Sequence, residues 1–338
     1  MPAPATVTTG ATVPDLPPVA VLVLAASKDL PGLGVCLSSI LRHCRNPVSA
    51  LHVVAQRFPH TPPVQDPRII WIDERRCVPS TAEINAALLD TGRDPGNASW
   101  YFQQLVKLRC FDLLPQNTPD HVLVVDSDMA LLRDTTFVDT RRRSLLPYGY
   151  PLYWRPGTRH HQLPPRHSAL DAARRLVPGW RPLDPYSGMH HHMVFDRAIL
   201  NDLTQRVRHA HPGPFWRAFL ATANTEKWTG ASEYVLYRHF AGQRFPHLVR
   251  HRHLRTVEII QADEPSGFTL PELVEAARRT PLDAVGCHRF LHYTERLATM
   301  DYIPEALRES GTVRPVPLRL RLDHGLLTID HAARPLTL

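Results

Sequence analysis

The sequence predicts an α/β fold whose central sheet is mostly parallel and covered by helices on both faces. Short apolar runs of strand length recur at 19–25, 51–55, 69–72 and 122–125. The runs at 19–25 and 122–125 are apolar throughout, the pattern of strands buried on both faces. Helix-like stretches separate the runs, and such alternation implies parallel crossover units.

Each element has its own signal. After the first run come Ser27, Lys28 and a Pro/Gly turn, then a helical stretch at 35–43 with Leu37, Ile40 and Leu41 on one face. The third strand ends at Asp73-Glu74, and 84–89 reads as helix. The clearest helix is 100–114, where Phe102, Leu105, Leu108 and Phe111 recur at three-residue steps before Pro115 stops it. The fourth strand then runs into Asp126. Residues 148–185, rich in Pro, Gly, Arg and His, show little periodicity and read as an irregular excursion. Strand is expected again at 189–195, followed by helices at 197–207 and 232–240. Partial alternation at 318–329 around Asp323-His324-Gly325 predicts a hairpin. The expected organisation is a leader at 1–17, one domain at 18–300, and a C-terminal extension at 301–338.

With 338 residues, 43% hydrophobic and 21% charged, the chain can bury one large core. A net charge of +7 favours anionic partners such as nucleotides or sugar phosphates. The arginines form scattered pairs and triples, not a basic stripe interleaved with aromatics, which argues against nucleic acid. Five cysteines, an odd number without any CxxC spacing, suit a reducing compartment. The leader carries no positive segment of the signal-peptide kind, and 19–26 is far too short to cross a bilayer. The expectation is a cytoplasmic protein.

The strongest chemical signal is Asp126-Ser127-Asp128 at the end of a buried strand. In open α/β sheets ligands bind beyond the carboxyl ends of the strands. Two carboxylates delivered there are costly without a cation, and Mg2+ or Mn2+ is commonly held by one or two carboxylates plus substrate phosphates. On the helix before this strand, Gln104 and Lys107 share a face beside the apolar stripe. Lys107 could meet a diphosphate and Gln103 or Gln104 a sugar or ribose; a solvated surface is the plainer role for these residues. In His190-His191-His192, strand alternation sends His191 one way and its two neighbours the other. Ser232 can cap a helix whose first turn holds Glu233, a carboxylate that the helix dipole alone would explain. His288 and His292 lie late in the chain.

The segments QQLVKL (103–108) and VLVVDSDMALL (122–132), with HHMVFDR (191–197) and SEYVLY (232–237), resemble a bacterial glycosyltransferase-like family of the GT-A type. The resemblance covers roughly residues 18–300. It implies a Rossmann-like domain, a UDP- or GDP-linked sugar donor, a small-molecule or glycan acceptor, and a DxD-bound Mn2+ or Mg2+. On that footing Asp126 and Asp128 are candidate metal ligands with His288, preferred over His292, as the third. Ser27, Lys28, Gln104, Lys107, Asp126 and Ser127 become candidate donor contacts, and His191, His192 and Trp228 candidate acceptor or sugar contacts. Glu233 would be the general base of an inverting reaction, with Asp128 the other catalytic candidate. No GxGxxG follows the first strand, which argues against a dinucleotide oxidoreductase. Two alternatives stay open: a sugar-phosphate nucleotidyltransferase and a non-catalytic nucleotide-sugar-binding module.

Overall fold

The core of the fold is a five-stranded sheet whose strands, from one edge to the other, are Ile69–Asp73, Val48–Ala55, Val19–Ala25, His121–Asp126 and His192–Asp196, seen in a computed structural model. The structure describes residues 15–149, 168–184, 186–224, 230–262, 268–291, 297–300, 319–323 and 326–330. Most of the expected leader, and much of the 148–185 excursion and the C-terminal extension, therefore lie outside the described residues.

β1 (Val19–Ala25) is buried along its whole length, as its unbroken apolar run requires. It lies parallel to β2 (Val48–Ala55) on one side and to β4 (His121–Asp126) on the other, with Val23 opposite both Val53 and Val125. β3 (Ile69–Asp73) extends the sheet in parallel beyond β2, and β7 (His192–Asp196) closes the other edge antiparallel to β4. The chain leaves β1 through α1 (Leu30–His43) in one direction and returns from β3 through α2 (Thr81–Asp90) and α3 (Ala98–Leu108) in the other. Right-handed crossovers in opposite directions place α1 and the α2–α3 pair on opposite faces. The sequence of a mainly parallel sheet between helices is thus observed, consistent with a GT-A-like fold. The order also puts a topological switch point between β1 and β4, the position at which open α/β sheets generally bind ligands.

Two boundaries differ from expectation for local reasons. α1 starts at Leu30, absorbing Pro31, Gly32 and Gly34 that read as a turn. Proline is well placed in a first helical turn, whose N–H groups have no intrahelical partner. Gly34 suits close packing, since a Cβ there would lie 3.2 Å from the Pro63 Cβ. The long helix expected to reach residue 114 breaks at Arg109, whose φ of −114° and ψ of 23° leave the helical region, before α4 (Cys110–Leu113). Arg109 Nη1 there donates to the Val78 carbonyl at 2.6 Å.

Past Asp128 the chain enters a second sheet. β5 (Met129–Leu131) pairs antiparallel with β10 (Ala284–Leu291), which runs parallel to β9 (Thr256–Ala262); β11 (Leu297–Met300) completes the order β11-β9-β10-β5. β6 (Ser144–Pro147) and β8 (Val249–Arg252) form a short parallel pair, and β12 (Arg319–Asp323) and β13 (Leu326–Asp330) an antiparallel one.

Four helices follow or interrupt these strands: α5 (Ser168–Leu176), α6 (Arg197–Ala210), α7 (Phe215–Thr222) and α8 (Glu233–Arg244), with α9 (Leu270–Ala277) preceding β10. α5 falls within the stretch expected to be irregular. Asp196 caps α6 by accepting from Ala198 N and Ile199 N. Among the described residues no helix is long and apolar enough to cross a membrane.

Candidate functional site

Three elements meet at the carboxyl end of β4. α3 turns Gln104 and Lys107 inward, so neither is the solvated position that Gln and Lys commonly take; both are buried. Lys107 Nζ lies 2.7 Å from Asp126 Oδ1, 2.9 Å from Glu233 Oε1 and 3.1 Å from Tyr234 Oη. The Tyr234 hydroxyl also donates to Asp126 Oδ1 at 3.3 Å. Burial opposes the charge on Lys107, but Asp126 and Glu233 outweigh it and raise its pKa well above the usual value. Ser232 caps α8 by accepting from Val235 N, and Gln104 Oε1 accepts from Glu233 N at 3.1 Å. Gln104 therefore joins two helices by satisfying a donor of the α8 first turn.

His191 precedes β7 with φ at +49°, in the left-handed region that non-glycine residues seldom occupy. Its carbonyl accepts from Asp126 N at 2.9 Å. Its Nδ1 lies 2.9 Å from Asp126 Oδ2 and its Nε2 3.1 Å from Glu258 Oε2. Burial alone would lower the pKa of His191, but Glu258 and Asp126 reverse the sign and lift it well above the usual range. Burial likewise raises Glu258, and His191 overrides it to hold the carboxyl at about 2. Asp126 is also depressed: Lys107 and His191 overcome the burial penalty.

The second sheet supplies the remaining wall. Asp128 O accepts from Cys287 N at 2.8 Å, which joins the DSD turn to β10. His288 Nδ1 then lies 2.7 Å from Asp128 Oδ2, and its ring stacks on that of His191 with centroids 3.7 Å apart. Gly286 leaves room for this: a Cβ there would stand 2.8 Å from His288 Nε2 and 3.2 Å from Glu258 Cγ. Ser127 Oγ donates to Asp29 Oδ2 at 3.0 Å. Burial, and after it the charge of Asp128, raise the Asp29 pKa.

Asp126, Glu233 and Glu258 are each bonded to Lys107 or His191, while Asp128 meets His288 and Asp29 lies beside Asp128 through Ser127. An excess of carboxylate beside Asp128 suits a divalent cation. Ligating atoms of Asp128, His191 and His288 all lie within 4.8 Å of one another. Both oxygens of Asp126, by contrast, are engaged by Lys107, Tyr234 and His191.

The remaining candidates separate clearly. Ser27 and Lys28 are exposed on the turn after β1, and Lys28 Nζ donates to Arg289 O at 2.6 Å. His192, expected as an acceptor or sugar contact, is fully buried; it pairs with Val125 in the sheet, its Nδ1 is 2.8 Å from that of His190, and its ring meets Phe137 edge-on. Burial pushes His192 well below its usual pKa, so it is a neutral packing residue. Glu233 is buried against Lys107 and does not present a free carboxylate to an acceptor. Trp228 and His292 lie outside the described residues. Sequence reasoning missed Asp29, Tyr234 and Glu258. Asp29 had a signal, an acid just past the first strand at the switch point. Glu258 had one too, an acid inside an apolar strand.

A family model described as a family of unknown function, DUF6492, matches residues 49–266, more than half of the chain. The chain belongs to the DUF6492 family. The matched span takes in both DSD aspartates, Lys107, His191, Glu233 and Glu258, while Asp29 and His288 fall outside it. A search of curated proteins finds no match. A crystal structure of mouse xyloside xylosyltransferase 1 in its apo form is similar, with 12% identity and a TM-score of 0.39, over 80% of this chain and 97% of that one. So loose a likeness bears on neither activity nor substrate.

Proposed function

We propose that this chain is a metal-dependent glycosyltransferase of the GT-A type. It would take a UDP- or GDP-linked sugar and pass the sugar to a hydroxyl of a small-molecule or glycan acceptor. The observation that carries the reading is the DSD turn at the β1–β4 switch point, with Lys107 and His288 gathered around it. Asp128 and His288 would hold Mn2+ or Mg2+ beside Asp126. Such an ion would supply positive charge for the donor diphosphate and for the leaving group.

The chain's own groups frame the rest. Lys107 fixes Asp126 and contributes positive charge below the crevice. Ser27 and Lys28 are exposed after β1, where the nucleotide would lie, and Ser127, buried and bonded to Asp29, would hold the DSD turn beside them. Gln104 and Glu233 act on Lys107 and α8, and so position the cationic floor instead of touching the acceptor. His191 faces the crevice side and is the candidate nearest the sugar. Four of the five cysteines are buried, which suits the reducing cytoplasm we assign.

The test is incubation with UDP- and GDP-sugars and Mn2+, measuring free nucleoside diphosphate. Release that requires both the cation and Asp128 is expected. Pyrophosphate formed from a nucleoside triphosphate and a sugar 1-phosphate would instead identify a nucleotidyltransferase.

A further inference from the structure

We propose that the cation is held by two imidazoles and one carboxylate, His191, His288 and Asp128, and that Asp126 is not among its ligands. This rests on the metal site of the preceding section and specifies it.

Four observations carry it. The ligating atoms of these three residues alone among the described His, Cys, Asp and Glu residues converge, all within 4.8 Å of one another. Asp126 has its Oδ1 on Lys107 and Tyr234 and its Oδ2 on His191, and a paired ammonium offsets its charge. The His191 backbone sits at φ +49°, a strained conformation that persists where the surroundings over-determine it. The His191 ring stacks on His288, and Gly286 leaves the space at His288 Nε2 that a Cβ would take.

The carboxylates around His191 fit the same role. A metal-binding histidine donates its second ring N–H to a carboxylate, which fixes ring and tautomer. His191 has one at each nitrogen, Asp126 and Glu258. On metal binding one ring nitrogen would release its proton to solvent and exchange its carboxylate for the cation, while the other keeps its carboxylate. A two-imidazole set also alters selectivity: Mg2+ prefers oxygen ligands, whereas imidazole favours the later first-row ions. The site should therefore bind Co2+ more tightly than Mn2+, and both more tightly than Mg2+.

The decisive experiment is pulsed EPR of the full-length wild-type protein loaded with Mn2+, with and without UDP. Nitrogen couplings from two imidazoles are expected; coupling from one alone overturns the proposal. Calorimetric Mn2+ titrations of variants give a second line. His191→Ala should weaken binding by at least the roughly 10–100-fold that loss of an orienting partner costs, and Asp126→Asn by less. Unchanged affinity in His191→Ala with loss in Asp126→Asn overturns the proposal and leaves the glycosyltransferase reading standing. Absence of Mn2+ binding by the wild type under both conditions would overturn the metal site itself, and the proposal with it.

Discussion

The Lys107 ammonium lies 2.7 Å from Asp126 and 2.9 Å from Glu233, a buried cation bridging the DSD strand and the first turn of α8. Helix α3, strand β4 and helix α8 are thereby locked together by one charge. Removing one member of a buried ionic group leaves its partners unpaired in low dielectric. Lys107→Met should therefore destabilise the fold by about 3–5 kcal/mol, measured by denaturant unfolding. A loss below about 1 kcal/mol would mean that water or another group already shares this role.

Glu233 separates two mechanisms. Its carboxylate is committed to Lys107, so Glu233→Gln should lower donor affinity, melting temperature and turnover together. A general base would behave differently, losing on the order of 100-fold to 10,000-fold in turnover with donor binding and stability unchanged. Measuring all three on one sample decides between them.

Gly286→Ala probes the second sheet. The added Cβ would stand 2.8 Å from His288 Nε2, so the ring must move. Overpacking of this kind costs about 1–3 kcal/mol. Metal affinity, followed by Mn2+ titration, should fall while the protein remains folded. An unchanged affinity would detach His288 from the cation.

Behind the site, Arg238 is fully buried on α8 and holds Asp184 through two bonds of 2.8 and 2.7 Å, as well as the Pro147 and Tyr186 carbonyls. Burial raises the Asp184 pKa, but its bonds to Arg238 outweigh this, so the folded value lies below the ordinary one. A carboxyl depressed by folding stabilises above its unfolded pKa of about 3.9, and that stability is lost as pH falls through the folded value. Asp184→Asn should cost about 3 kcal/mol near neutrality. Thermal melts at descending pH should show wild type and variant converging below about pH 4. A gap independent of pH would make the loss one of packing.

Much of this was legible in the sequence because burial and strand period leave local marks. β1 and β4 are buried on both faces, so their apolar runs show no alternation and stand out. The DSD turn follows one of them directly, and Ser232 caps α8 as its residue type suggests. His191 does part from its two buried neighbours, but through its left-handed backbone before β7 and not through strand alternation. What was not legible is pairing across long separations. Glu258 lies inside an apolar strand, and its meaning comes from His191, which only the junction of two sheets brings near. Gln104 and Lys107 have the surface character of most helix polar residues until α8 covers them. His192 was expected beside His191 because neighbouring histidines look alike in sequence, although one meets Asp126 and Glu258 and the other is buried in the core. The early start of α1 was hidden by Pro31 and two glycines, residues whose turn preference yields to packing here.

The central claim is a cation-dependent nucleotide site built on Asp128. Calorimetric titration of UDP and GDP into wild-type and Asp128→Asn protein, with Mn2+ and with chelator, tests it most directly. At least one nucleotide should bind the wild type with Mn2+ at least about tenfold more tightly than in chelator, a difference of about 1.4 kcal/mol. That gain should vanish in a folded Asp128→Asn variant. Equal affinity in chelator and in the variant, or no binding of either nucleotide, would contradict the account.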